Sequence, residues 1–169
     1  MRYIKPLCKM SNKKINRLVL DEVPEEEIYL IALYSSLEIF RVVYHLNSKL
    51  GLRLKRTLKD IDFVNPDSTS KYPLYHFYDE INDVDYYVVA NKAKVKPRHL
   101  VASGLMFEDA DTYQTYLIPE RKNVDFFLKI EKRIGIDDFL NKLKNLKQFS
   151  AVYAEDINRI RSYKNLIFD

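Results

Sequence analysis

Ile28-Tyr29-Leu30-Ile31-Ala32-Leu33-Tyr34 is apolar at nearly every position, and after Ser35-Ser36 the pattern turns helical until Leu50-Gly51. A run this short that is apolar on both faces fits a central strand, covered above and below. Beyond Ser36 the period changes to about 100° per residue. Ile39, Val42, Val43, Leu46 and Leu50 then share one stripe, widened by Leu37, Phe40 and Tyr44, while Glu38, Arg41, His45, Ser48 and Lys49 lie opposite. Ser35 or Ser36 is the expected cap and Gly51 the expected stop, because glycine readily takes the positive φ that closes a helix. The helix is therefore predicted to lay one broad face on a sheet.

Upstream, Ile15-Asn16-Arg17-Leu18-Val19-Leu20 reads as a first strand, separated from Ile28 by an acidic turn over residues 21–27. Downstream, Leu52-Arg53-Leu54-Lys55-Arg56 alternates like a half-exposed strand, Ile61 and Phe63 extend the apolar supply, and Asn65-Pro66-Asp67-Ser68 makes a turn. Two Tyr-rich strands, 72–78 and 84–91, joined by the polar loop 79–83, predict an antiparallel hairpin. Residues 92–111 are irregular. A second hairpin is expected between 113–118 and 124–130, with Val124, Phe126, Leu128 and Ile130 on one face and Asp125, Phe127, Lys129 and Glu131 on the other. After Gly135 a helix capped near Asp137 carries Phe139, Leu140, Leu143 and Leu146, followed by a strand at 151–153, a short helix at 155–163 and an apolar end at 166–168. The pattern predicts one α+β domain over residues 15–169, preceded by a flexible extension at 1–14. Its mostly antiparallel sheet is layered with two main helices, strand-helix-strand units flanking two hairpins.

Composition narrows the classes of function. Hydrophobic residues at 47% and charged residues at 31% suit a globular core. The excess of 28 Lys+Arg over 24 Asp+Glu gives +4, with both signs interleaved, which weakens the case for a dedicated nucleic-acid domain. Cys8 is the only cysteine, so no disulfide within the chain and no cysteine zinc site is expected, and a reducing, cytoplasmic compartment fits. The basic start is not followed by the apolar run of a secretory signal, and the stretch 28–37 is about half of the roughly 20 residues that span a bilayer. No membrane partner is expected.

Few residues invite a chemical reading. Glu120 and Asp125 bracket the turn Pro119-Glu120-Arg121-Lys122-Asn123, and paired carboxylates serve acid–base chemistry or a metal. The structural reading is stronger: Pro119 leaves the strand for want of a donor, Asn123 tolerates a tight turn, and the charges keep the loop solvated. His45, His76 and His99 are too dispersed for a metal motif, so no metal and no cofactor is expected. His45 reads as a solvated helix residue and His76 as a buried, hydrogen-bonded imidazole. Asn47 falls within the apolar arc of the helix, where its amide needs partners, most simply the backbone of an adjoining loop. The tyrosines at 72, 75, 78, 86, 87, 113 and 116, with Lys92, Lys94, Lys96 and Arg98 nearby, sketch a stacking platform for single-stranded RNA. An aromatic sheet face more often packs under a helix or in a subunit interface. Glycine-rich phosphate loops and GxSxG are absent from the sequence.

Leu117-Ile118-Pro119-Glu120 followed by Val124-Asp125-Phe126-Phe127-Leu128-Lys129-Ile130 resembles the IPExxxDY family of Bacteroidota-type bacteria. Leu18-Val19-Leu20-Asp21, Tyr29-Leu30-Ile31, Leu46-Asn47 and Lys49-Leu50 are similar to it as well. Four residues separate Glu120 from Asp125, and Phe126 stands where the family has Tyr. The resemblance implies a bacterial cytoplasmic protein and supplies no activity or catalytic residue.

The leading expectation is a non-enzymatic binding or regulatory domain that self-associates, as a homodimer, through an aromatic sheet face or edge. Two alternatives belong to other classes. One is an RNA-associated protein using the tyrosines and the Lys92 to Arg98 stretch, the other a hydrolase or metal-dependent enzyme built on Glu120 and Asp125. Glu120, Asp125, Asn47, Lys92, Lys94, Lys96 and Arg98 are the candidate binding residues.

Overall fold

A computed structural model describes residues 28–65, 68–95, 112–131 and 136–168. The expected strand at 15–20 and the extension at 1–14 lie outside these residues. The elements are β1 (Ile28–Tyr34), α1 (Ile39–Leu50), β2 (Lys55–Arg56), β3 (Ile61–Asn65), β4 (Ser68–Tyr72), β5 (Leu74–Asp79), β6 (Val84–Ala90), β7 (Lys92–Val95), β8 (Tyr113–Tyr116), β9 (Phe126–Glu131), α2 (Ile136–Lys144) and β10 (Ala151–Glu155). Short 3-10 turns occupy Pro119–Arg121, Ile157–Arg159 and Arg161–Leu166. Six strands form one antiparallel sheet in the order β10-β1-β9-β6-β5-β2, and β3-β4 and β7-β8 form two-stranded ribbons. This is the expected α+β fold with a mostly antiparallel sheet and two main helices.

Alternation along the strands builds a core on each side of the sheet. On the first side Ile31, Leu33, Val88, Leu128 and Ile130 meet Val42, Val43 and Leu46 of α1 and Leu143 of α2. On the second side Leu30, Ala32, Val89 and Phe127 meet Tyr72 of β4, Leu117 and Ile118, and Ile160 and Leu166 of the C-terminal turns. Complete burial of each such aliphatic side chain contributes roughly 1.5–3 kcal/mol. The acidic first turn (Asp137, Asp138) and basic last turn (Lys142, Lys144) of α2 suit its macrodipole.

Gly51 stops α1 with φ 72°, its N–H donating to Asn47 O. The start differs from expectation. Glu38 is the extended N-cap and gives no side-chain bond, whereas Ser35 is drawn into the end of β1, donating through Oγ to Gln148 O (2.8 Å) and accepting from Leu37 N (3.2 Å). Phe40 and Tyr44, read as part of the buried stripe, are 57% and 66% exposed. Val42, Val43 and Leu46 aim at the sheet, and Phe40 and Tyr44 lie about 100° or more from that direction. His45 is half-buried rather than solvated, with Nδ1 shielded and unbonded among the described residues.

The first expected hairpin forms, as β5 and β6. The second does not: β8 pairs with β7, and β9 lies between β1 and β6. Phe127 and Leu128, on opposite faces of β9, are both fully buried, so β9 requires the sheet centre, where both faces are covered. β8, Tyr-Gln-Thr-Tyr, is half-exposed and stays in a surface ribbon. The strand read as 72–78 is broken at Pro73, which has no N–H to donate. β4 therefore turns away to pair with β3, while Pro73 O still accepts from Ala90 N (3.2 Å).

Candidate functional site

The corner after Ile118 is where the sequence places most of its charged candidates. Leu117 and Ile118 are fully buried and anchor it. Pro119 opens a 3-10 turn in which Arg121 N donates to Ile118 O and Val124 N to Arg121 O, each at 3.0 Å. Beneath the turn lies Asn91, fully buried between β6 and β7. Its Oδ1 accepts from Ile118 N (2.8 Å), and its Nδ2 donates to Arg121 O (2.8 Å) and Val124 O (3.0 Å). Its backbone N–H donates to Asp125 O and its carbonyl accepts from Leu117 N, both at 2.9 Å. One amide thus satisfies both ends of the corner.

The carboxylates fasten this corner to its neighbours. Asp125 accepts from Ser35 N through Oδ2 (2.9 Å) and from Lys92 Nζ through Oδ1 (2.6 Å), tying the ends of β1 and β7 together. Glu120 Oε1 accepts from Ser162 N and Ser162 Oγ, both at 3.0 Å, and so holds the C-terminal turn. Desolvation pushes the Glu120 pKa up, but hydrogen bonds from its own backbone and from Ser162, with the nearby Arg161, hold it below the ordinary value. Arg121 Nε donates to Glu155 Oε2 of β10 (2.8 Å), and Lys122 Nζ sits 5.7 Å from the Tyr116 ring centre.

The corner can position chain segments. The Glu120 carboxyl is held below rather than above its ordinary pKa, which does not suit a general acid. Neither the hollow of about 330 Å³ beside Pro119 nor a larger cleft of about 940 Å³ at the β2 edge is lined by Glu120 or Asp125. Among the described residues no group of three or more His, Cys, Asp or Glu is placed to hold a metal ion.

The remaining candidates are dispersed. Asn47 meets its expected partner, the backbone of the following loop: Nδ2 donates to Leu54 O (3.0 Å) and Oδ1 accepts from Leu54 N (2.9 Å). Lys94 is exposed on β7 opposite Gln114, and Lys96 and Arg98 lie outside the described residues, as do Cys8 and His99. The tyrosines are not gathered into one platform. Tyr86 faces the helices with its ring 6.0 Å from Phe139 of α2, Tyr87 faces the other side against Phe168 at 5.0 Å, and Tyr72 of β4 is buried in the core of that second side.

Two groupings escaped the sequence reading. Lys129, in the middle of β9, is 3% exposed, donates to Leu166 O (2.8 Å), pairs with Glu131, and lies near the rings of Tyr87 and Phe168. The side chain of His76, expected to be buried, is 36% exposed although β2 pairs with it; its Nε2 meets Asp85 Oδ1 at 2.6 Å, and its ring stacks on Tyr87 at 4.5 Å. Burial, then Asp85 and Glu131, push the Tyr87 phenol up to about 12. A lysine between Leu128 and Ile130 in so apolar a run was the signal for the first; nothing local signalled the second. No helix among the described residues is long and apolar enough to cross a membrane. No family model, curated protein or solved structure matches the chain, so its resemblance to the IPExxxDY family rests on the residues quoted above.

Proposed function

We propose that this chain is a non-enzymatic binding domain of a bacterial cytoplasm that self-associates as a homodimer through the outer edge of β10. The observation that carries the proposal is the contrast between the two ends of the sheet. β2 at one end is two residues long and reads Lys55-Arg56, the kind of short, charged edge that discourages further strands. β10 at the other end is five residues long and pairs with β1 on one side only among the described residues. Its Ala-Val-Tyr-Ala-Glu sequence contains no Lys, Arg or Pro, and Tyr153 is 58% exposed. Such an edge is a template for another strand. Two copies related by a two-fold axis would set Tyr153 opposite Tyr153 and continue the sheet across the interface.

Engagement of Glu120 and Asp125 within the corner favours a structural role for both and so supports a non-enzymatic reading. The RNA reading has less support, because Lys92 is paired with Asp125 and the sheet tyrosines divide between two faces. Light scattering at several concentrations tests self-association. The expected result is twice the mass of one chain, falling to one chain in Tyr153→Lys while the circular dichroism spectrum is unchanged. A strict monomer at the highest concentration would remove dimerisation from the proposal.

A further inference from the structure

The hollow of about 330 Å³ beside Pro119 lies where the two ribbons meet. Phe63 of β3 with Ser70 and Tyr72 of β4 line it from one ribbon, Thr115 and Tyr116 of β8 from the other, and Asn165 from the C-terminal turn. Its size is near the lower end of the roughly 300–1,000 Å³ of small-molecule sites, enough for a single substituted ring.

The sequence of β4 makes this space. Alternation in Ser68-Thr69-Ser70-Lys71-Tyr72 turns Ser68, Ser70 and Tyr72 inward, where all three are buried, and leaves Lys71 outside. A serine fills less of an inward position than the valine or leucine expected in a core, and its hydroxyl then needs a partner. Ser68 has one, since its Oγ accepts from Tyr113 Oη (2.6 Å). Ser70 is 2% exposed, and among the described residues its hydroxyl has no hydrogen-bond partner. Unlike His45 Nδ1 it is not sealed off, and the hollow is the open space it borders.

The rest of the lining sets the class of occupant. Phe63 and Tyr72 meet edge to face at 5.9 Å, and with Tyr116 they offer three aromatic rings. The lining contains no carboxylate, ammonium, guanidinium or imidazole, so a charged ligand would lose its hydration with nothing to offset it. Lys122, the nearest described cation to Tyr116, rests against that ring and does not line the hollow. Asn165 Nδ2 is spent on Leu117 O (2.8 Å), while its Oδ1 accepts no hydrogen bond among the described residues. A hydroxyl that can give or take a proton and an amide oxygen that can only accept together suit a group with both a donor and an acceptor.

We propose that this hollow binds a small neutral aromatic molecule, one ring carrying a group that both donates and accepts a hydrogen bond, such as a carboxamide. The ring packs on Phe63, Tyr72 and Tyr116, and the polar group meets Ser70 and Asn165. This goes beyond self-association and does not depend on it.

The test titrates benzamide, and benzoate as its charged counterpart of the same shape, into the full chain and into Ser70→Ala, followed by amide chemical shifts. Saturable binding of benzamide is expected, with the largest shifts at Ser70, Thr115 and Tyr116. Benzoate should bind roughly tenfold more weakly. Ser70→Ala should weaken benzamide roughly fivefold, as for the loss of one hydrogen bond, and should melt no lower than the parent, because the hydroxyl holds nothing in the fold. Absence of saturable binding, shifts centred elsewhere, benzoate binding as tightly as benzamide, or unchanged affinity in Ser70→Ala would each overturn the proposal. So would a lower melting temperature in Ser70→Ala, which would show that the hydroxyl is already bonded within the protein. Benzamide binding by a strictly monomeric chain would leave this inference standing while removing the dimer.

Discussion

The two faces of the central sheet are built from the same strands but solved differently. Under α1 and α2 the cover is helical, so its backbone groups are bonded internally and the sheet below needs to supply only apolar surface. On the other face the cover is a ribbon, a corner and a set of 3-10 turns, whose backbone groups are bonded only in part among themselves. Polar side chains therefore rise to meet them: Asn91 to Ile118, Arg121 and Val124, Lys129 to Leu166, Asn165 to Leu117 O (2.8 Å) and Glu120 to Ser162. The charged and amide residues that resemble a reaction centre in the sequence are mostly those required by an irregular cover.

The sharpest way to break this comparison is at Asn91. In Asn91→Ala two groups, Ile118 N and Val124 O, lose their partner at once while Arg121 O keeps Val124 N, and Ile118 and Val124 are fully buried, so water cannot take its place. Urea unfolding should show a loss of about 4 kcal/mol. Leu128→Met, on the helical face, keeps volume and polarity and should cost under about 1.5 kcal/mol. A mild Asn91→Ala would mean that the corner satisfies its own backbone and that the contrast between the faces is wrong.

This contrast also decides what the sequence could reveal. Helical periodicity in 39–50 and the double-sided apolar run in 28–34 predicted α1, β1 and the helical face, because burial under a helix imposes a repeating pattern. The amide argument worked at Asn47 for the same reason it applies at Asn91: a polar group in an apolar surrounding must be bonded. Asn91 reads from the sequence as the end of the strand 84–91, where no such demand is visible. The second hairpin was misread because the turn 119–123 looked like a strand connection, while pairing was decided by the need to bury both Phe127 and Leu128. The His76–Asp85 contact joins residues on two strands by register, which no local pattern encodes.

Lys129 and Leu128 allow the comparison to be made within one strand. Lys129→Met preserves length and apolar packing but removes the donor to Leu166 O and leaves Glu131 without its partner. Glu131 is 28% exposed and can recover water, so the expected loss is about 2 kcal/mol, below that at Asn91. The effect should be local. Amide hydrogen exchange over residues 161–168 is expected to quicken more than exchange in α1 or α2, and equal acceleration of the helices would show that Lys129 supports the whole core rather than its strap.

The smallest effect belongs to Glu120, whose contact with Ser162 lies in solvent. Its folded-state pKa is held below the ordinary 4.5, so as the pH falls the unfolded chain takes up this proton first. The contribution to stability is therefore complete above 4.5 and disappears as the pH drops through the lower folded value. Glu120→Gln keeps the shape and removes the titration. Its urea midpoint should sit slightly below the parent's at neutral pH, and the two should converge once the pH is well under 4.5. A gap that persists in acid would assign the contact to shape rather than charge. A parent stabilised on acidification through this range would put the shift in the opposite direction, giving Glu120 the raised pKa that an acid catalyst needs and returning the corner to consideration as a reaction centre.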